Sequence, residues 1–148
     1  MAPIPAVLVA VGPDVHADPR VRNDLEDWVW GSGFRPRFAV DAAQAVTWLR
    51  EERDAFAASL LDIGLGTQDL PTWRQVGPWV GRRLVLLLRE RRRTAWFEAL
   101  RSGAGAVVPH PWDGPVLAAA LEVATGRGAG AGIAPGDPRR RPPGSRSS

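Results

Sequence analysis

Five short apolar runs, separated by amphipathic stretches, constrain this chain more than any other feature. Ala6-Val7-Leu8-Val9-Ala10-Val11 and Leu84 to Leu88 are apolar at successive positions rather than alternate ones, and Phe56-Ala57-Ala58-Ser59-Leu60-Leu61 is a third apolar run interrupted by Ser59. Strand side chains point alternately to two faces, so Ala6 to Val11 reads as a strand buried on both, as in a parallel sheet covered by helices on each side. Arg35 to Val40 is a weaker strand because it contains Pro36, a residue suited to a strand's start or an edge position. Ala106-Val107-Val108 supplies the fifth strand.

The intervening segments carry helix signals. Asp18-Pro19 reads as a cap followed by a first-turn proline, with Val21, Leu25, Trp28 and Val29 on one face and Gly31-Ser32-Gly33 as the stop. Asp41 with Gln44 resembles a capping box ahead of Ala42, Ala45, Val46 and Leu49. Asp69 to Val76 leaves room for a short helix before Gly77-Pro78, and Thr94 to Arg101 offers Trp96, Phe97 and Leu100 for packing. Asp113-Gly114-Pro115 opens an alanine-rich last helix through Val123. Five βα units predict an α/β fold, an open doubly wound five-stranded parallel sheet with helices on both faces and right-handed crossovers.

A chain of 148 residues can bury one good core, so residues 1–125 are expected to form a single domain. From Gly126 the composition turns to Gly, Ala, Pro, Arg and Ser, which offer little to offset the entropy of ordering, and residues 126–148 are expected to be a disordered tail. That tail holds five of the 19 basic residues and one acid, Asp137, so it carries +4 and the remainder, with a charge of −1, is close to neutral. All 19 are arginine; without lysine or cysteine there is no lysine Schiff base, thiolate nucleophile, disulfide or thiolate metal site. No apolar stretch reaches the roughly 18 residues of a spanning helix, and the start Met1-Ala2-Pro3-Ile4-Pro5 lacks the form of a secretory signal. The expectation is a cytoplasmic protein without membrane contact.

Asp62 closes the third apolar run and is followed at once by Ile63-Gly64-Leu65-Gly66. The carboxyl ends of parallel strands are where open α/β sheets present their chemistry. The order of elements, Leu61-Asp62 at the end of the third strand and Ser102-Gly103-Ala104 before the fifth resemble the receiver domain of bacterial two-component response regulators, over roughly residues 4 to 124. The resemblance implies a flavodoxin-like strand order 2-1-3-4-5, Asp62 as phosphoacceptor and a cis bond between His110 and Pro111. It also exposes departures. The family's paired acids after the first strand match Val11 and Gly12, its hydroxyl residue matches Leu88, and its lysine matches His110, while Pro111 and the aromatic Trp112 follow the pattern.

These departures bear on chemistry, because phosphoryl transfer to a carboxylate needs a divalent cation and a fixed positive charge where negative charge develops. Leu88 donates no hydrogen bond and neutral His110 supplies no fixed charge. The expectation is therefore a degenerate receiver with no cofactor, Mg²⁺ being only weakly indicated, that acts as a phosphorylation-independent regulatory or protein-interaction module and not as an enzyme. The alternative is a phosphorylatable regulator using Asp62 with an altered shell. Asp14 and Asp62, with His16 and His110, are weak candidates for a divalent metal site.

Arg89-Glu90-Arg91-Arg92-Arg93 is either a solvated turn or a patch for an acidic partner. Arg91, Arg92, Arg93, Trp96 and Trp112 are the partner-facing candidates, for a protein partner or a homodimer. Of the seven tryptophans, Trp28, Trp48 and Trp96 fall at core spacing, whereas Trp30, Trp73, Trp79 and Trp112 are open. The arginine runs lack a reading helix or stacking platform, so sequence-specific nucleic-acid binding is not expected. Gly64-Leu65-Gly66 fits neither the Walker A pattern nor the dinucleotide fingerprint, and Ser59 lies inside a strand away from any nucleophile elbow.

Overall fold

The computed structural model describes residues 3–64, 72–89 and 93–126. Arg91, Arg92, the start of the segment expected as a short helix (69–71) and the tail beyond Gly126 lie outside the described residues, as does the side chain of Arg93.

The five runs form strands β1 (Ala6–Ala10), β2 (Arg35–Phe38), β3 (Phe56–Asp62), β4 (Leu84–Leu87) and β5 (Ala106–Val108). All pair in parallel, in the order β2-β1-β3-β4-β5. The helices are α1 (Pro13–His16), α2 (Pro19–Gly31), α3 (Ala42–Glu52), α4 (Thr72–Val80), α5 (Arg93–Arg101) and α6 (Gly114–Thr125). Alternation along β1 divides the core: Leu8 and Ala10 pack with Ala45, Leu49, Val76, Val80 and Ala99 of α3, α4 and α5. Val7 and Val9 face Leu25, Val29, Leu117 and Leu121 of α2 and α6. Both faces of the sheet are thereby covered, as strands apolar at every position require.

The caps are made as expected. Asp18 accepts from the backbone N–H of Arg20 at 3.1 Å, Asp41 from that of Gln44 at 2.8 Å and Asp113 from that of Val116 at 3.0 Å. Gln44 reaches back one residue further than in a capping box, accepting from Val40 N–H at 2.8 Å. Pro36 lies in β2, which is an edge strand, so its missing donor leaves no ladder bond broken. The same strand presents Arg37, whose guanidinium stacks 4.2 Å from the Trp48 ring centroid and pairs with Glu52 at 3.5 Å. A charged, occupied edge discourages pairing with another chain.

Two local expectations are revised. The α4 helix does not stop before Gly77-Pro78 but runs through to Val80. Val76 and Val80, one turn apart, are both buried and reach the core together only if the turn between them stays helical. The bond lost at Pro78 is the one to the carbonyl of Arg74, an exposed residue whose carbonyl water can serve. Among the described side chains of α5 the buried one is Ala99, whereas Trp96, Phe97 and Leu100 are 37%, 55% and 41% exposed. Helical spacing identifies a stripe; which side of it meets the sheet is a tertiary matter. No helix among the described residues is long and apolar enough to cross a membrane.

Candidate functional site

Asp62 ends β3 beside Leu87 of β4, at the carboxyl edge of the sheet, and is 1% exposed. A buried carboxylate must be met by donors or charge. Here four N–H groups meet it: Gly12 N–H donates to Oδ2 at 3.0 Å, Gly64 N–H to Oδ1 at 2.8 Å, Arg89 Nε–H to Oδ1 at 2.6 Å, and Arg89 Nη2–H to Oδ2. An ionised carboxylate has about four lone-pair positions. Every one of them is used within the protein.

Arg89 grips a second carboxylate as well. Its Nη1 and Nη2 donate to Asp14 Oδ2 and Oδ1 at 2.8 and 3.0 Å. The planar guanidinium thus bridges Asp62 and Asp14 with two bonds to each, a geometry that a lysine could not reproduce. Its hydrogen bonds to Asp62 and then to Asp14 hold Arg89 still more firmly protonated than usual. The hydrogen bond from Arg89 lowers the Asp14 carboxyl below its ordinary value of about 3.8. A lowered folded-state pKa means that stability from this bond is complete above that ordinary value and fades as pH falls through the lower one. We expect the urea midpoint of the parent to fall more steeply below pH 3.8 than that of Asp14→Asn, in parallel titrations of the two.

The backbone around the clamp leaves no slack. A Cβ on Gly12 would lie 2.9 Å from Asp14 Oδ1 and 3.0 Å from Arg89 Nη2, and one on Gly64 would lie 3.1 Å from Arg89 Nε. Trp112 supports the arginine from its other side, with Nε1–H donating to Leu88 carbonyl at 2.8 Å and the ring centroid 5.9 Å from the guanidinium carbon. Val11 and Leu88 are buried apolar residues, His110 is exposed, and the His110–Pro111 bond is cis.

The four-residue metal set is not assembled. Asp14 and Asp62 are spanned by Arg89, while His16 Nε2 bonds Ala39 carbonyl at 2.8 Å beside β2. Among the described residues, no group of three or more His, Asp or Glu is placed to hold a metal ion. The residue that sequence reasoning missed is Arg89, read as the first member of a basic run. Its signal was positional: it follows the fourth apolar strand by one residue, at the sheet edge where Asp62 emerges, in a chain with no lysine to serve there.

Strand order and a buried aspartate at the end of the third strand define a receiver fold, here with the aspartate bound by an arginine. Solved structures agree on the fold. A response regulator receiver domain protein (CheY-like) from Methanospirillum hungatei JF-1 superposes with a TM-score of 0.65 at 14% identity, over 88% of this chain and 100% of that one. A response regulator receiver domain protein from Clostridium thermocellum gives 0.65 at 13% identity, over 82% and 94% of the two chains. A protein named for pilus assembly (cpaE) from Burkholderia thailandensis E264 gives 0.60 at 25% identity, over 82% and 98%. No family sequence model and no curated protein sequence matches this chain.

Proposed function

We propose that this protein is a receiver-like regulatory module that works in the cytoplasm through protein contacts and without phosphorylation of Asp62. The observation that carries the reading is the saturation of both Asp62 oxygens by Gly12, Gly64 and Arg89. A phosphoryl donor needs one of those oxygens as nucleophile and a divalent cation beside it, and the guanidinium occupies both places at once. Arg89 supplies the positive charge a metal would supply, but permanently, so the site has one state where a switch needs two.

Contacts with a protein partner fit the surface of α5, where Trp96, Phe97 and Leu100 expose apolar area that the core does not use. The 25% likeness to a protein named for pilus assembly favours a role within an assembly apparatus over one in a phosphorelay.

Incubation with acetyl phosphate and Mg²⁺, followed by intact-mass measurement, tests the reading. The expected result is an unmodified chain. A phosphoryl adduct that disappears in Asp62→Asn overturns it in favour of a phosphorylated regulator with an altered shell.

A further inference from the structure

Beside the clamp lies a cleft of about 390 Å³ that the reading above does not use. Three carboxylates line it, Asp14, Asp18 and Asp24, together with the indoles of Trp28 and Trp112. Arg89, the one arginine among its described lining residues, is already shared between Asp14 and Asp62, so those residues keep an excess of negative charge. Asp24 is exposed and has no ion-pair partner among the described residues. Trp28 is held in place by the start of α6: a Cβ on Gly114 would lie 2.8 Å from Trp28 Cδ1.

Carboxylates beside indole faces suit a planar, weakly hydrated cation, which can stack on a ring while its edge donates to an acid. Arg89 shows that this chemistry operates here, since it grips Asp14 while lying 5.9 Å from the Trp112 ring centroid. Other arginines of this protein sit over aromatic rings in the same manner, Arg22 at 4.2 Å from Phe38 and Arg37 at 4.2 Å from Trp48.

We infer that the cleft is a guanidinium site whose occupant is this chain's own Arg139-Arg140-Arg141 segment. Charge favours that occupant, because the residues beyond Gly126 hold five arginines and one acid. Reach permits it. Helix α6 starts at the cleft with Gly114 and ends at Thr125, 12 residues that span about 18 Å. The 13 residue steps from Gly126 to Arg139 extend to roughly 43 Å at most, more than twice what the return needs. Tethering raises the local concentration of the segment to about the millimolar range, so a weak ion-pair and stacking site is filled without a tight intrinsic affinity. The inference does not depend on whether Asp62 can be phosphorylated.

The chain has no cysteine, so Ser145→Cys carries a single nitroxide label on the full-length protein. The expected result is selective loss of the Trp28 and Trp112 indole N–H signals in the proton–nitrogen spectrum, with the Trp48 signal, on the opposite face of the sheet, retained. That loss should reverse when Arg139, Arg140 and Arg141 are all changed to serine, and should weaken in Asp24→Asn and as salt is raised. Uniform broadening, or selective broadening that survives the triple change, overturns the inference. So does an absence of broadening in the full chain combined with Trp28 shifts when an Arg-Arg-Arg-Pro-Pro peptide is added, since the site would then serve another molecule's arginines.

Discussion

Replacing Arg89 by alanine is expected to lower the stability of the fold by about 3–5 kcal/mol, the usual cost of stranding one partner of a buried ion pair. Asp62 is 1% exposed and would keep only the Gly12 and Gly64 N–H groups as donors. Urea unfolding followed by tryptophan fluorescence should show a lower midpoint with an unchanged slope. Adding Asp62→Asn to Arg89→Ala should recover much of the loss, because an amide leaves no uncompensated charge in the pocket. Mg²⁺ should stabilise Arg89→Ala but not the parent, since only the variant leaves the Asp14 and Asp62 oxygens open to a hard cation. A loss below about 1 kcal/mol in Arg89→Ala would mean that the bridge is a loose surface pair, the kind that contributes little, and the account of a permanently satisfied site would fall with it.

The second large effect is expected far from the clamp. Gly105, just before β5, lies so close to the backbone carbonyl of Arg82 that a Cβ there would overlap the oxygen. Both are backbone atoms, and Gly105 N–H also donates to Leu84 carbonyl at 2.8 Å, so neither strand end can move aside cheaply. Overpacking against side chains costs about 1–3 kcal/mol; with no rotamer to relieve the clash, Gly105→Ala should reach the upper end of that range. Gly31→Ala is the control. A Cβ on Gly31, the last residue of α2, meets nothing within 4 Å, and its thermal midpoint should match the parent's. Equal behaviour of the two variants would show that the β4–β5 end of the sheet is more yielding than its geometry indicates.

Where signals are local, reading the sequence sufficed. The apolar run of β1 implied burial on both faces, and the structure places Val7 and Leu8 in opposite layers. Asp18, Asp41 and Asp113 act within three residues of themselves, so spacing alone located the caps of α2, α3 and α6. Helix α5 shows the limit. Its apolar residues mark a helix, but Ala99 meets the core while Phe97 faces outward, because the small residue is the one packed against the sheet. Arg89 shows a harder limit. The arginine stands 27 positions from Asp62 and 75 from Asp14, and in the sequence it is indistinguishable from the charges of the run it begins.

The amino-acid sequence by itself determined the layers, since a strand such as β1, apolar at every position, can be stable only beneath helices on both sides, and it put an acid at the carboxyl edge of the central strand. Tertiary structure alone decided what became of that acid. The parallel strand order sets the end of β4 beside the end of β3, within side-chain reach of the loop after β1, and a buried charge draws in whatever cation the chain supplies there. In this protein that cation is Arg89.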